Sequence, residues 1–197
     1  MNTTIQKDTA HNPTAHEHQE VFSSHQVEDE RRATLIHFRL MRTEDEQRLL
    51  DFFRSHTSET IHARYGMTVG EMSHERALEL VRLDNHEKLA LIGLDGPPDA
   101  ERIIAVGRYA LENATHLAEV AFVVHEQYRG MGIATHLLLR LVKIIRDKGF
   151  SGVTAQVLSD NTPMLQVLSK VLGRADQTTS GCGETTLVYR FKQGAAR

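Results

Sequence analysis

The stretch "VAFVVHEQYRGMGIATHLLLRLV", residues 120–142, decides how the rest of the chain is read. An apolar run ends at His125. Four polar residues follow, Glu126 to Arg129, and then Gly130 and Gly132 precede a Leu-rich pattern with helical spacing. A buried strand that turns into a helix through glycines leaves backbone N–H groups unpaired at the helix start. Together with the positive end of the helix dipole, those donors form an anion site. Glycines let a phosphate approach the main chain, and Arg129 can add a charge-assisted contact. Phosphate is therefore the first ligand class the residues suggest. A dinucleotide fingerprint would need a third glycine where Thr135 stands, and the Gly-Lys-Ser/Thr of a P-loop is missing. On the turn alone, a tight strand–helix connection with no ligand is an equal reading.

Outward from this turn, periodicity gives the other elements. The long helix is expected over about 131–148, with Ala134, Leu137, Leu138, Leu141, Ile144 and Ile145 inward and Gly149 ending it. "ATHLAEVAFVV" (114–124) reads as the most apolar strand, preceded by a hairpin of strands 88–94 and 102–111 around the turn "DGPPDA". Downstream come a strand over 152–158, a helix from Pro163 to Leu172 and a last strand over 184–191. Upstream, "TLIHFRL" (34–40) alternates like a half-buried strand, and Thr43 with Glu46 suggests a capping box opening a helix. A second helix is expected over 57–65, Gly66 and Gly70 mark a loop, and Ser73 caps a third helix. The order is strand, helices, three strands, then helix, strand, helix, strand: a mixed α/β sheet with antiparallel hairpins first and a βαβ crossover later. Residues 1–30 are polar and aperiodic and read as a flexible arm with a short helix near 20–28, leaving 31–197 as one domain.

Composition narrows the function classes. A net charge of -3 gives no electrostatic footprint for nucleic acid. The single cysteine, Cys182, forms no intramolecular disulfide, and no apolar run approaches the roughly 18 residues a membrane span needs. A soluble cytoplasmic protein with no membrane partner is the expectation. His11, His16, His18 and His25 are spaced by five, two and seven, which matches no closed zinc pattern, so no metal is expected.

The segment "RGMGIA" (129–134) resembles the Arg/Gln-x-x-Gly-x-Gly/Ala motif of the GNAT N-acetyltransferase superfamily through Arg129, Gly132 and Ala134. "LSDNTPMLQVLSKVLG" (158–173) is similar to that family's later segment, an Asn after a strand followed by a short helix. "RLMRTEDEQRLLDFFRSHTSET" (39–60), "MSHERALELVRLDNHEKLALIGLD" (72–95), "IIAVGRYAL" (103–111) and "LAEVAFVV" (117–124) look like one branch, the bacterial protein-lysine acetyltransferases. The resemblance implies a GNAT-like fold: a mostly antiparallel sheet with splayed parallel central strands, here 118–124 and 152–158, flanked by helices. It implies acetyl-CoA as co-substrate and no metal. The pyrophosphate would rest on the backbone of Arg129, Gly130, Met131, Gly132, Ile133, Ala134 and Thr135. The pantetheine arm would pair like an extra strand with Phe122, Val123 and Val124, beside Asn161. The acceptor would be an amine, foremost a protein lysine; a small-molecule amine, or a non-catalytic acyl-CoA-binding module, are the alternatives.

Transfer to lysine needs a neutral amine, and near pH 7.4 only about one lysine in a thousand is neutral. The candidate base is Glu119, the one charged residue in "LAEVAFVV", sharing a strand face with Ala121 and Val123. A carboxylate enclosed by apolar neighbours is expected to bind protons more readily than one in water, which suits a general base. The resemblance to the bacterial protein-lysine acetyltransferases implies the same role, since they carry a Glu at the matching place that is read as the base, directly or through water. The competing reading is a structural ion pair with Arg108. A backbone N–H near Val124 is the candidate oxyanion donor. Many family members have a Tyr general acid where this chain has Leu168, a departure that puts acid catalysis of thiolate departure in question. His116 and His125 are rival bases, Tyr109 a rival proton donor, and Tyr128 is expected in the phosphate loop.

Overall fold

The computed structural model describes residues 25–29, 32–65 and 72–192. Among the described residues eight strands form one sheet: β1 (His25–Asp29), β2 (Arg32–Leu40), β3 (Lys88–Asp95), β4 (Arg102–Glu112), β5 (Leu117–Val124), β6 (Gly152–Leu158), β7 (Gln177–Gly181) and β8 (Glu184–Arg190). Their order is β1-β2-β3-β4-β5-β6-β8-β7. All neighbours are antiparallel except β5 and β6. The helices are α1 (Glu46–Arg54), α2 (Ser58–Tyr65), α3 (His74–Val81), α4 (Ile133–Asp147) and α5 (Thr162–Leu172). This is the mixed sheet flanked by helices that the pattern implied.

Strand alternation divides the core into two layers. Leu89, Leu91, Tyr109, Ala118, Val120 and Phe122 point to one side, where Leu137, Leu138, Leu141 and Ile145 of α4 and Leu168 of α5 cover them. Ala90, Ile92 and Val106 point to the other, under Leu49, Phe52 and Phe53 of α1 and Ala77 and Val81 of α3. Each large apolar side chain taken fully out of water contributes roughly 1.5–3 kcal/mol, so the two layers supply most of the driving force for folding.

Several local expectations are corrected. β1 lies inside the stretch read as an arm, and residues 25–29 form a strand where the short helix was expected; residues 1–24, with His11, His16 and His18, lie outside the described residues, as do Gly66 and Gly70. Thr43 is no helix cap. A 3-10 turn at Thr43–Asp45 precedes α1, and the organising group is the buried Asp45 carboxylate. It accepts from Arg39 Nη1 (2.6 Å) and Nη2 (2.7 Å), from the Arg42 N–H (2.9 Å) and from Arg48 Nη1 (3.2 Å). Burial pushes this carboxyl up, but Arg39 and its companions outweigh burial and hold it below the usual range. β5 starts at Leu117 rather than 114, because Asn113–His116 form the turn after β4, closed by the His116 N–H on Glu112 O at 2.8 Å. β7 was not foreseen. It joins β8 through Cys182 and Gly183, both at positive φ (52° and 83°), the geometry of a two-residue hairpin turn. Cys182 is exposed there, and Ser73 caps α3 by accepting from the Arg76 N–H at 3.1 Å, as expected.

Candidate acetyl-CoA and acceptor site

The parallel strands β5 and β6 are paired only at Leu117–Gly152, Ala118–Val153 and Glu119–Thr154. Beyond Glu119 they separate, so the sheet forks. Gly152 is required at the closed end: a Cβ there would sit 2.2 Å from the Tyr189 carbonyl oxygen. On its other edge β5 stays paired with β4 as far as Val124. The His125 N–H donates to Ile104 O at 2.9 Å, flanking the Ala105–Val124 pair. By strand alternation, Val123 therefore directs its main-chain groups to β4, while Phe122 and Val124 direct theirs into the fork. Backbone groups in such a gap need partners from outside the sheet.

At the open end of the fork, a 3-10 turn at Glu126–Tyr128 leads to Arg129, Gly130, Met131 and Gly132, and α4 begins at Ile133. Gly130 (φ 81°) and Gly132 (φ 75°) are left-handed and exposed, and a Cβ on either would meet nothing within 4 Å. The space over this turn is open, and the first N–H groups of the 15-residue α4 face it. Ile133 is buried and Met131 packs on the core, which anchors the turn; Ala134 and Thr135 are half-buried on the first turn of the helix. Asn161 caps α5, its Oδ1 accepting from the Met164 N–H at 3.3 Å, which leaves its Nδ2 to donate elsewhere.

Glu119 is the last paired residue before the fork. Its side chain is exposed, not enclosed by apolar neighbours as the sequence suggested. The reason is that Ala118 and Val120 face the opposite layer, whereas Ala121 and Val123 on its own face are short. Glu119 opens onto a groove of about 670 Å³ whose floor carries Val106, Arg108, Ala110, Ala121 and Val123 and whose walls include His56, Thr60 and Ile61. Arg108 is opposite Ala121 and diagonal to Glu119, within reach of a long side chain.

The other candidate residues take the following positions. His116 is exposed in a turn with φ 56°. His125 is the cap of the 3-10 turn, its Nδ1 accepting from the Gln127 N–H at 3.3 Å. Tyr109 is fully buried in the α4 layer and donates to His86 O at 2.7 Å; burial pushes its phenol well up. Tyr128 does not face the phosphate turn: its hydroxyl donates to Asp95 and accepts from Arg102 at 2.7 Å. Leu168 is fully buried. Sequence reasoning missed Glu126, His56, Thr57 and Thr60, which converge beside the groove. Arg129 is turned toward them, donating to Thr60 Oγ1.

Comparison with known proteins agrees with this geometry. Residues 42–173 match the acetyltransferase (GNAT) family. The chain belongs to the GNAT family. It is 28% identical over 132 residues to Acetyltransferase PA5475 of Pseudomonas aeruginosa, covering 66% of this chain and 70% of that protein. The GNAT domain of S. lividans PAT superposes with a TM-score of 0.70 at 21% identity, covering 81% of this chain and 92% of that one. The structure of yncA from Salmonella typhimurium with its cofactor acetyl-CoA gives 0.65 at 15% identity, covering 82% and 96%. At such identities the two structures share the GNAT fold with this chain and no more. Family membership makes the chain an acetyltransferase that uses acetyl-CoA. Among the described residues no helix is long and apolar enough to cross a membrane, and no group of three or more His, Cys, Asp or Glu is placed to hold a metal ion.

Proposed function

We infer that this GNAT enzyme transfers acetyl directly from acetyl-CoA to a protein lysine, with Glu119 as the general base. The observation that carries the reading is the position of Glu119, which ends the β5–β6 ladder and opens onto the groove. The diphosphate rests on the main chain of Arg129 to Thr135. The pantetheine arm lies in the fork and bonds the outward main-chain groups of Phe122 and Val124, with Val123 between them and Asn161 on the far side. From Val124 back to Glu119 is five residues, roughly 17 Å at about 3.3 Å each, so an arm laid along β5 carries its thioester toward the carboxylate.

The lysine enters through the groove. Glu119 takes a proton from the ammonium, directly or through one water. The neutral amine attacks the thioester carbonyl, and an N–H of β5 on the Glu119 side of Val124, directed into the fork, faces the developing oxyanion; Val124 itself lies too far along the arm from Glu119. Water removes the remaining ammonium proton of the attacking nitrogen, the intermediate collapses, the C–S bond breaks and coenzyme A leaves as a thiolate. Its parent thiol is acidic enough (about 8.5 for a cysteine-like thiol) to depart without an acid at the Leu168 position.

Likeness along 39–60 and 72–95 to the bacterial protein-lysine acetyltransferases supports a protein acceptor. The groove volume lies within the range of small-molecule sites and favours a small amine as the second reading. The test is coenzyme A release with lysine peptides set against polyamines and aminoglycosides, followed by mass spectrometry of the product. Acetyl-lysine on peptides is expected. Turnover with small amines alone would replace the lysine reading by the second one.

A further inference from the structure

Two sites that the reaction must bring together meet at one side chain. Glu126 lies on the 3-10 turn that leads into the phosphate-facing glycines. Its carboxylate accepts the Thr57 N–H at 2.9 Å, the Thr57 hydroxyl at 3.1 Å and the Thr60 hydroxyl, and His56 Nδ1 lies 3.4 Å away. Thr57 immediately precedes α2, and Thr60 lies in its first turn. His56, Thr60 and Ile61 are walls of the acceptor groove. Arg129 donates to Thr60 Oγ1 and stands 3.9 Å from Glu126.

We propose that Glu126 is a positioning residue for the acceptor, tying the α2 wall of the groove to the coenzyme turn so that occupancy of the turn is felt at α2. The proposal rests on reading that turn as the coenzyme site. An eight-residue helix is too short to hold itself in water, so α2 depends on the bonds at its start. Those bonds converge on one carboxylate from a segment some seventy positions away. Arg129 is shared between the two sites. A diphosphate is a stronger partner for a guanidinium than a neutral hydroxyl. Drawing Arg129 toward it withdraws a donor from Thr60 and a cation from Glu126. The change is delivered at Thr57–Ile61. Burial pushes the Glu126 carboxyl up, but the hydrogen bonds from Thr60 and Thr57 outweigh it and hold the group ionised, ready to respond to a neighbouring cation.

The Thr57 amide, bonded to Glu126, is a direct reporter. Amide hydrogen exchange is measured over 57–65 with and without saturating coenzyme A, while calorimetry confirms binding. In the unmodified chain exchange at Thr57–Ile61 rises about threefold or more on binding. Glu126→Gln and Thr60→Val bind coenzyme A but lose this response, and Thr60→Ser, which restores the hydroxyl, retains it. A purely architectural Glu126 would change exchange equally in the free and bound chains. Identical exchange with and without coenzyme A in the unmodified chain overturns the proposal, as does a response that survives in Thr60→Val. Thr60→Val is near-isosteric, so it decides the matter even where Glu126→Gln fails to fold. A chain that takes up no coenzyme A refutes the assignment of the turn itself, whereas binding with α2 indifferent refutes only the coupling.

Discussion

Replacing Glu119 by Gln removes the proposed base and little else. The side chain is exposed, and the amide is the same size, so stability should change by no more than about 0.5 kcal/mol. The magnitude of the rate effect comes from the acceptor. A lysine amine with a reference value of about 10.4 is neutral about once in a thousand at pH 7.4, a deficit of about 4 kcal/mol. A positioned base contributes about 100- to 10,000-fold. Glu119→Gln should therefore lower kcat by at least about a hundredfold at pH 7.4. It should leave acetyl-CoA affinity within about twofold, because the proposed coenzyme contacts are main-chain groups of β5 and the glycine turn. The pH dependence follows with a definite sign. Each unit of rising pH supplies about ten times more neutral amine without help from the protein. The ratio of variant to parent rate should thus climb about tenfold per unit between pH 7.4 and 9.4. The assay is steady-state coenzyme A release with the acetylated peptide substrate, alongside calorimetry for binding and a thermal melt for folding. A ratio that stays flat across those two units, or a variant as fast as the parent at pH 7.4, refutes Glu119 as the proton acceptor.

Three further outcomes follow from the geometry. Asp45→Ala strands Arg39 beside a missing carboxylate and should cost about 3 kcal/mol in a urea melt; because the Asp45 carboxyl is held down in the folded chain, its contribution is complete above about pH 4 and fades as pH falls through the folded value, so the parent should lose stability in acid and the variant should lose less. Gly152→Ala places a methyl against the Tyr189 carbonyl and should destabilise by about 3 kcal/mol or prevent folding, seen as a lowered thermal midpoint. Gly132→Ala meets no clash and carries only the left-handed conformational cost, about 1–2 kcal/mol, yet its methyl occupies the proposed phosphate approach, so coenzyme A affinity by calorimetry should fall about tenfold or more.

The parts of the fold that were legible in the sequence are those with steep apolar contrast. α4 and β5 carry unbroken patterns between glycines and charges, and both occur within a few residues of their expected limits. β7 carries no such contrast: Gln177 to Gly181 are all exposed, and its pairing to β8 is set by a two-residue turn around Cys182, a residue with no ordinary turn preference. β1 was missed for a related reason, since its sequence "HQVED" has a single apolar residue. In the site, the glycine turn was legible because chain direction alone fixes it. The surroundings of Glu119 were not, because neighbours along a strand alternate between layers and the openness of its face depends on α1 and α2 packed from elsewhere. The Glu126 cluster was invisible for the same cause: it joins residues 66–70 positions apart.

The fork has a mechanical consequence. One half-sheet, β1 to β5, and another, β6 with β8 and β7, are stitched together by a seam of three residue pairs. Past that seam helices span the gap, α4 and α2 each packing against both β5 and β6, much as a spine keeps two covers of an open book. On the proposed reading, a pantetheine arm laid in the opening would become a temporary strand, supplying the missing ladder and damping the rocking of one half against the other. The enzyme would then be stiffest at the moment its substrate is loaded and most pliant once the spent thiol has gone.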